Sequence, residues 1–140
     1  MKKLILLICL LVAMAGWSRA DAENYVYKGE IGPYKIHMVL NENLQGYYYY
    51  DKNPKSHFKL VLAHENDCDG EEMGLYDGCA EITLREYAPN TGKNTGTFDG
   101  VLGSKFRFGC YLSTIYSGVF TRKSDGKRFH FKVGCSEKIE

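Results

Sequence analysis

Seven carboxylates fall within residues 64–81: Glu65, Asp67, Asp69, Glu71, Glu72, Asp77 and Glu81, with no lysine or arginine among them. Such a run can bind a divalent cation, perform acid–base chemistry, dock on a basic surface or simply stay hydrated. As a calcium loop, Asp67-x-Asp69-Gly70 begins correctly, but the glycine required at position six and the bidentate glutamate at position twelve are out of register. As an acid–base pair, Glu71 and Glu72 sit in a glycine-containing polar stretch without the apolar enclosure that tunes carboxyl pKa values. The remaining sharp reading is a pre-ordered anionic face for a basic protein, formed by Asp67, Asp69, Glu71, Glu72 and Asp77. It competes with the plainer reading of a solvated loop.

The run of tyrosines at 47–50 is the second feature. In a strand, successive side chains face opposite sides, so Tyr47 and Tyr49 share one face and Tyr48 and Tyr50 the other. One pair should fill the core. The other, taken here as Tyr48 and Tyr50, should lie at the surface or a barrel mouth, where a ring with a hydrogen-bonding tip makes good contact area. Tyrosine is also a common strand former that pairs across neighbours, which needs no ligand. Four histidines (His37, His57, His64, His130) are present, but no G-x-S-x-G, H-E-x-x-H or Cys-His arrangement accompanies them. His37 and His130 occupy polar positions of alternating segments. The expectation is a non-enzymatic protein without cofactor.

Residues 105–132 oppose the acidic run with Lys105, Arg107, Arg122, Lys123, Lys127, Arg128 and Lys132 against Asp125 alone. The chain is thus dipolar. These cations suit either a second surface for an anionic partner or the polar outer faces of hairpins.

Residues 1–22 read as an export signal. Lys2 and Lys3 precede an apolar run at 4–15, and small-residue cleavage points follow at Ala15, Ala20 and Ala22. That run is too short to span a bilayer, which takes about 20 apolar residues. Ile8, before Cys9, is too large for lipidation. Counted from Asp21, loss of Lys2, Lys3 and Arg19 leaves 15 basic against 17 acidic residues, a net charge of −2. Near-neutrality argues against a general nucleic-acid or anionic-membrane binder. The remainder, 23–140, is one domain's worth of chain. Its compartment should be periplasmic or secreted, and its state monomeric. There, four cysteines favour two disulfides, and three pairings are possible. Cys68–Cys79 and Cys110–Cys135 are preferred, the first closing the acidic loop. Zinc lacks a C-x2-C pair or clustered histidines, so no metal is expected.

These candidates must be positioned by strands. Period-two alternation runs through 34–40, 58–62, 81–85 and 128–133. Further strands fit 25–31, 44–50, 96–102, 105–112 and 115–122. Gly32-Pro33, Asn41-Glu42-Asn43, Lys52-Asn53-Pro54, Pro89-Asn90-Thr91-Gly92 and Ser124-Asp125-Gly126 punctuate them. No helical period is sustained, and the connections are too short for crossovers. The fold class is therefore all-β: an antiparallel meander of eight to nine strands closing as a small up-and-down barrel, with a sandwich as the alternative. Gly46, Gly100 and Gly118 each precede a bulky pair and should mark bulges or tight bends.

The line Gly29-Glu30-Ile31-Gly32-Pro33-Tyr34-Lys35-Ile36-His37-Met38-Val39-Leu40, with Gly46-Tyr47-Tyr48-Tyr49-Tyr50, resembles small exported all-β proteins of Gram-negative bacteria. Those carry G-x-I-G-x-Y-x-I-x-M-x-L, then G-Y-Y-Y, with later I-T-L-x-E and T-G-x-F-x-G segments. Ile82-Thr83-Leu84-Arg85-Glu86 and Thr95-Gly96-Thr97-Phe98-Asp99-Gly100 match these. The chain departs at Ser117-Gly118-Val119-Phe120, where the pattern has a Gly-Thr-Trp strand. The resemblance implies fold and export, and no activity. The expected function is a protein-binding module, an inhibitor or immunity-type protein of a periplasmic or secreted hydrolase such as a lysozyme. The lysozyme link is an architectural analogy. A carrier of a lipid or other hydrophobic molecule inside the barrel is the alternative. A carrier should have an underfilled interior; an inhibitor should have a packed one and work from its loops.

Overall fold

Alternation becomes curvature once neighbouring strands pair. A computed structural model describes residues 24–69, 79–104 and 114–139. The expected export segment, residues 70–78 of the acidic run and the strand expected at 105–112 lie outside the described residues, as does Cys110. Eight strands follow in chain order: β1 (Asn24–Ile31), β2 (Tyr34–Asn41), β3 (Gly46–Tyr50), β4 (Phe58–Cys68), β5 (Cys79–Tyr87), β6 (Asn94–Ser104), β7 (Thr114–Arg122) and β8 (Arg128–Ile139). Each pairs antiparallel with the next, and β1 pairs with β8, so the meander closes into a barrel. Closure joins the first and last strands, while β4 beyond Leu60, which β3 does not reach, keeps one free edge.

One phase of each strand supplies the interior. In β2, Ile36, Met38 and Leu40 are buried; in β5, Ile82 and Leu84; in β8, Phe131, Val133 and Cys135. Rings fill the centre. Phe98 lies 5.2 Å from Tyr48, 4.7 Å from Phe120 and 5.0 Å from Phe131, and Tyr116 lies 4.8 Å from Phe131. The Tyr116 hydroxyl donates toward the carbonyls of Ile82 (2.9 Å) and Phe98 (3.3 Å), so its polar tip is satisfied inside. Burying a side chain of this size contributes roughly 1.5–3 kcal/mol.

The glycines do not mark bulges. Register shifts fall instead at Val26/Tyr27, Leu62/His64 and Glu86/Tyr87. Gly100 and Gly118 face each other across β6 and β7, where a Cβ on either would overlap the opposite backbone. On Gly100 it would also meet the Phe131 ring. Their role is close approach.

The meander gives the barrel two distinct ends. The turns after β1, β3, β5 and β7 make one end; the β2–β3 turn and the far ends of β4 and β5 belong to the other.

Candidate functional site

Past the register shift at Leu62/His64, β4 stops alternating: residues 63–67 are all exposed, yet they remain paired with β5. The polar sequence gives this stretch no apolar face to bury, so only backbone bonds to β5 hold it. The β4–β5 hairpin therefore runs on as a ribbon whose β4 edge is exposed, while β5 still pairs with β6 and buries Ile82. Glu65, Asp67, Asp69 and Glu81 are exposed on or beside it. Cys68 and Cys79 are directly opposed, Cα atoms 5.3 Å apart, and are joined by a disulfide. The expected Cys68–Cys79 pairing is thus present. Glu71, Glu72 and Asp77 lie beyond it, outside the described residues. Cys135 is buried in β8, and its expected pairing with Cys110 also falls outside them.

The tyrosine run needs a correction. Tyr48, expected among the contact residues, is 0% exposed and sits opposite Met38 in the core. The β2–β3 register sends Tyr47 and Tyr49 outward instead. There they join two histidines. His57 stacks on Tyr47 at 4.4 Å and on Tyr49 at 5.1 Å, and His37 stacks on Tyr49 at 4.9 Å. The imidazole N–H of His37 donates to Asp51 (2.9 Å), and that of His57 to the Pro54 carbonyl (2.9 Å). His37 is therefore a paired, stacked group; His130 is exposed. Tyr50 lies near the rim of the barrel, edge-on to Tyr34 and Phe58.

Sequence reasoning missed Glu86. It is the buried charged-type side chain of the interior, 3% exposed. At the Glu86/Tyr87 shift, Glu86 pairs with Gly96 and Tyr87 with Asn94, leaving Thr95 as the extra residue. The Thr95 hydroxyl donates to Glu86 Oε1 (2.6 Å), and the Tyr48 hydroxyl donates to Oε2. Asn94 Nδ2 closes the bulge by donating to the Glu86 carbonyl (2.9 Å) and the Gly96 carbonyl (3.0 Å). A Cβ at Gly96 would collide with the Phe120 ring, so the bulge needs glycine there. Burial pushes the Glu86 carboxyl above the usual carboxylate range, against the two hydroxyl bonds that lower it. Burial also pushes the Tyr48 hydroxyl above its usual range, and the neighbouring Glu86 adds to it.

Glu86 also lines a cup at this end of the barrel, of about 450 Å³, together with Tyr50, Phe58, Thr95, Phe120 and Arg122. Lys93 and Lys123 stand on its rim. Arg122 is held by Asp125 through two bonds, Nε–Oδ1 3.1 Å and Nη2–Oδ2 2.8 Å. This pairing and the Lys127 amide hold the Asp125 carboxyl down at about 2. The charge separation along the chain thus becomes one along the barrel. Lys93, Arg122 and Lys123 line the cup and Lys127 and Arg128 lie at the same end, by the β7–β8 turn, while Glu65, Asp67 and Glu81 occupy the opposite hairpin. Comparison with protein-family models, curated proteins and solved structures gives no match. No helix among the described residues is long and apolar enough to cross a membrane.

Proposed function

We propose that the chain is an exported, non-catalytic binding protein that docks a basic protein through its acidic β4–β5 ribbon. A cationic periplasmic or secreted hydrolase such as a lysozyme is the kind of partner that fits. The observation that carries this reading is the filled interior: Tyr48, Phe98 and Tyr116 occupy the barrel at 0–1% exposure, where a carrier would keep space for its ligand. Binding then falls to the outer surface, where the ribbon gathers the exposed carboxylates Glu65, Asp67, Asp69 and Glu81. The disulfide at Cys68–Cys79 ties the two strands of the ribbon together, which lowers the entropy lost on docking. Concentrated charge steers association and is screened by salt beyond about 8 Å at physiological ionic strength.

The test is capture of periplasmic or host secretions on the mature protein, followed by association kinetics and hydrolase inhibition. Changing Glu65, Asp67 and Glu81 together to Lys should slow association by roughly tenfold or more, because electrostatic steering acts chiefly on the on-rate. These positions are exposed, so stability should hardly change. Captured partners that are not basic, or that bind the variant equally well, would sink the reading.

A further inference from the structure

We propose a second binding site, independent of the ribbon, in which the cup at the opposite end takes a small organic anion with an apolar body. The argument starts from what the cup contains. Its walls are the rings of Tyr50, Phe58 and Phe120, an apolar surface that an aromatic or short aliphatic body would cover. Its volume, about 450 Å³, lies within the range of small-molecule sites. The carboxyl of Glu86 lies at its buried side, where both oxygens already accept hydrogen bonds from the Thr95 and Tyr48 hydroxyls.

The sign of the ligand follows from the rim. Arg122 is neutralised by Asp125, but among the described residues Lys93 and Lys123 have no carboxylate partner. Two ammonium groups lining the same apolar cup favour an anionic head at the mouth and an apolar body beneath. The chemistry is shared by carboxylates, sulfonates and phosphate esters.

The probe is 2-naphthoate, with the uncharged 2-naphthamide as its comparator, titrated into isotopically labelled mature protein and followed by amide shifts. A ligand of this size should bind with a Kd of about 1 mM or tighter. Shifts should concentrate at Lys93–Thr95 and Arg122–Ser124. The double variant Lys93→Gln/Lys123→Gln, at exposed positions that leave the fold intact, should weaken naphthoate about fivefold or more, and added salt should do the same. Naphthamide should bind the two proteins alike and more weakly than naphthoate binds wild type. A second variant, Thr91→Trp, would place a bulky ring at the mouth and should block the probe. Shifts that map to the ribbon or the outer wall, naphthamide binding as tight as naphthoate, or no binding at millimolar probe would overturn the site. None of these results bears on the ribbon, whose partner is read by the capture experiment.

Discussion

Glu86 carries a pH dependence that its surroundings determine. Its folded carboxyl titrates above the unfolded value because burial penalises the charged form more than Thr95 and Tyr48 favour it. Between the unfolded carboxylate range and the raised folded value, the native state therefore binds more protons than the unfolded one. Stability must fall as pH rises through that window. Glu86→Gln keeps the shape and removes the titration, so its melting temperature against pH should be flatter than wild type there; parallel curves would refute the assignment. Tyr48→Phe leaves Oε2 buried without its donor and should cost about 1–3 kcal/mol in urea unfolding. The sequence did contain the signal for Glu86: Ile82, Leu84 and Glu86 share one phase of β5, so an inward strand must turn that carboxyl inward too. The tyrosine run held no such signal. Four identical residues look the same to either face, and only the pairing of Met38 with Tyr48 decides which ones enter the core.

At the level of elements, the strands were legible where one face is buried, and less so where neither is. Alternation over 34–40 and 128–133 marks β2 and the start of β8 because Ile36, Met38, Phe131 and Val133 must leave water. β4, by contrast, runs six residues past the readable 58–62, to Cys68, through polar positions that only cross-strand pairing with β5 holds. Period-two hydrophobicity cannot report a ribbon exposed on both sides. The disulfide stabilises that weak stretch. With a sequence separation of 11, it removes loop entropy from the unfolded chain worth about 2–3 kcal/mol in the polymer model. Cys68→Ser/Cys79→Ser should lower unfolding free energy by that amount. Hydrogen exchange should accelerate first at residues 64–68, since there β4 pairs with β5 alone and has no packed face behind it. Uniform acceleration around the barrel would mean the bridge supports the whole core.

For the molecule as a whole, the decisive property is that the barrel is full while its two ends carry opposite charge. Sequence alone left the interior open, because Phe and Tyr line a cavity as readily as they fill one; the ring-to-ring distances around Phe98 remove that ambiguity. A packed interior makes a specific energetic prediction. Phe98 is 0% exposed and meets Tyr48, Phe120 and Phe131, so Phe98→Ala deletes contacts on three sides at once. The loss of transfer free energy plus the cavity left behind should total about 3–5 kcal/mol. An interior built to hold a ligand would respond in the opposite way: removing a lining ring would cost little and would enlarge the space. Equilibrium unfolding of Phe98→Ala, paired with titration of a neutral apolar dye such as N-phenyl-1-naphthylamine, separates the two. At dye concentrations far below the weak affinity expected of the cup for uncharged rings, wild type should give no dye signal in its folded baseline, and the variant should lose stability by the stated amount. Dye uptake by folded wild type, with near-normal stability of the variant, would return the barrel interior to the role of a carrier and leave the charged ends as mere solvated surface.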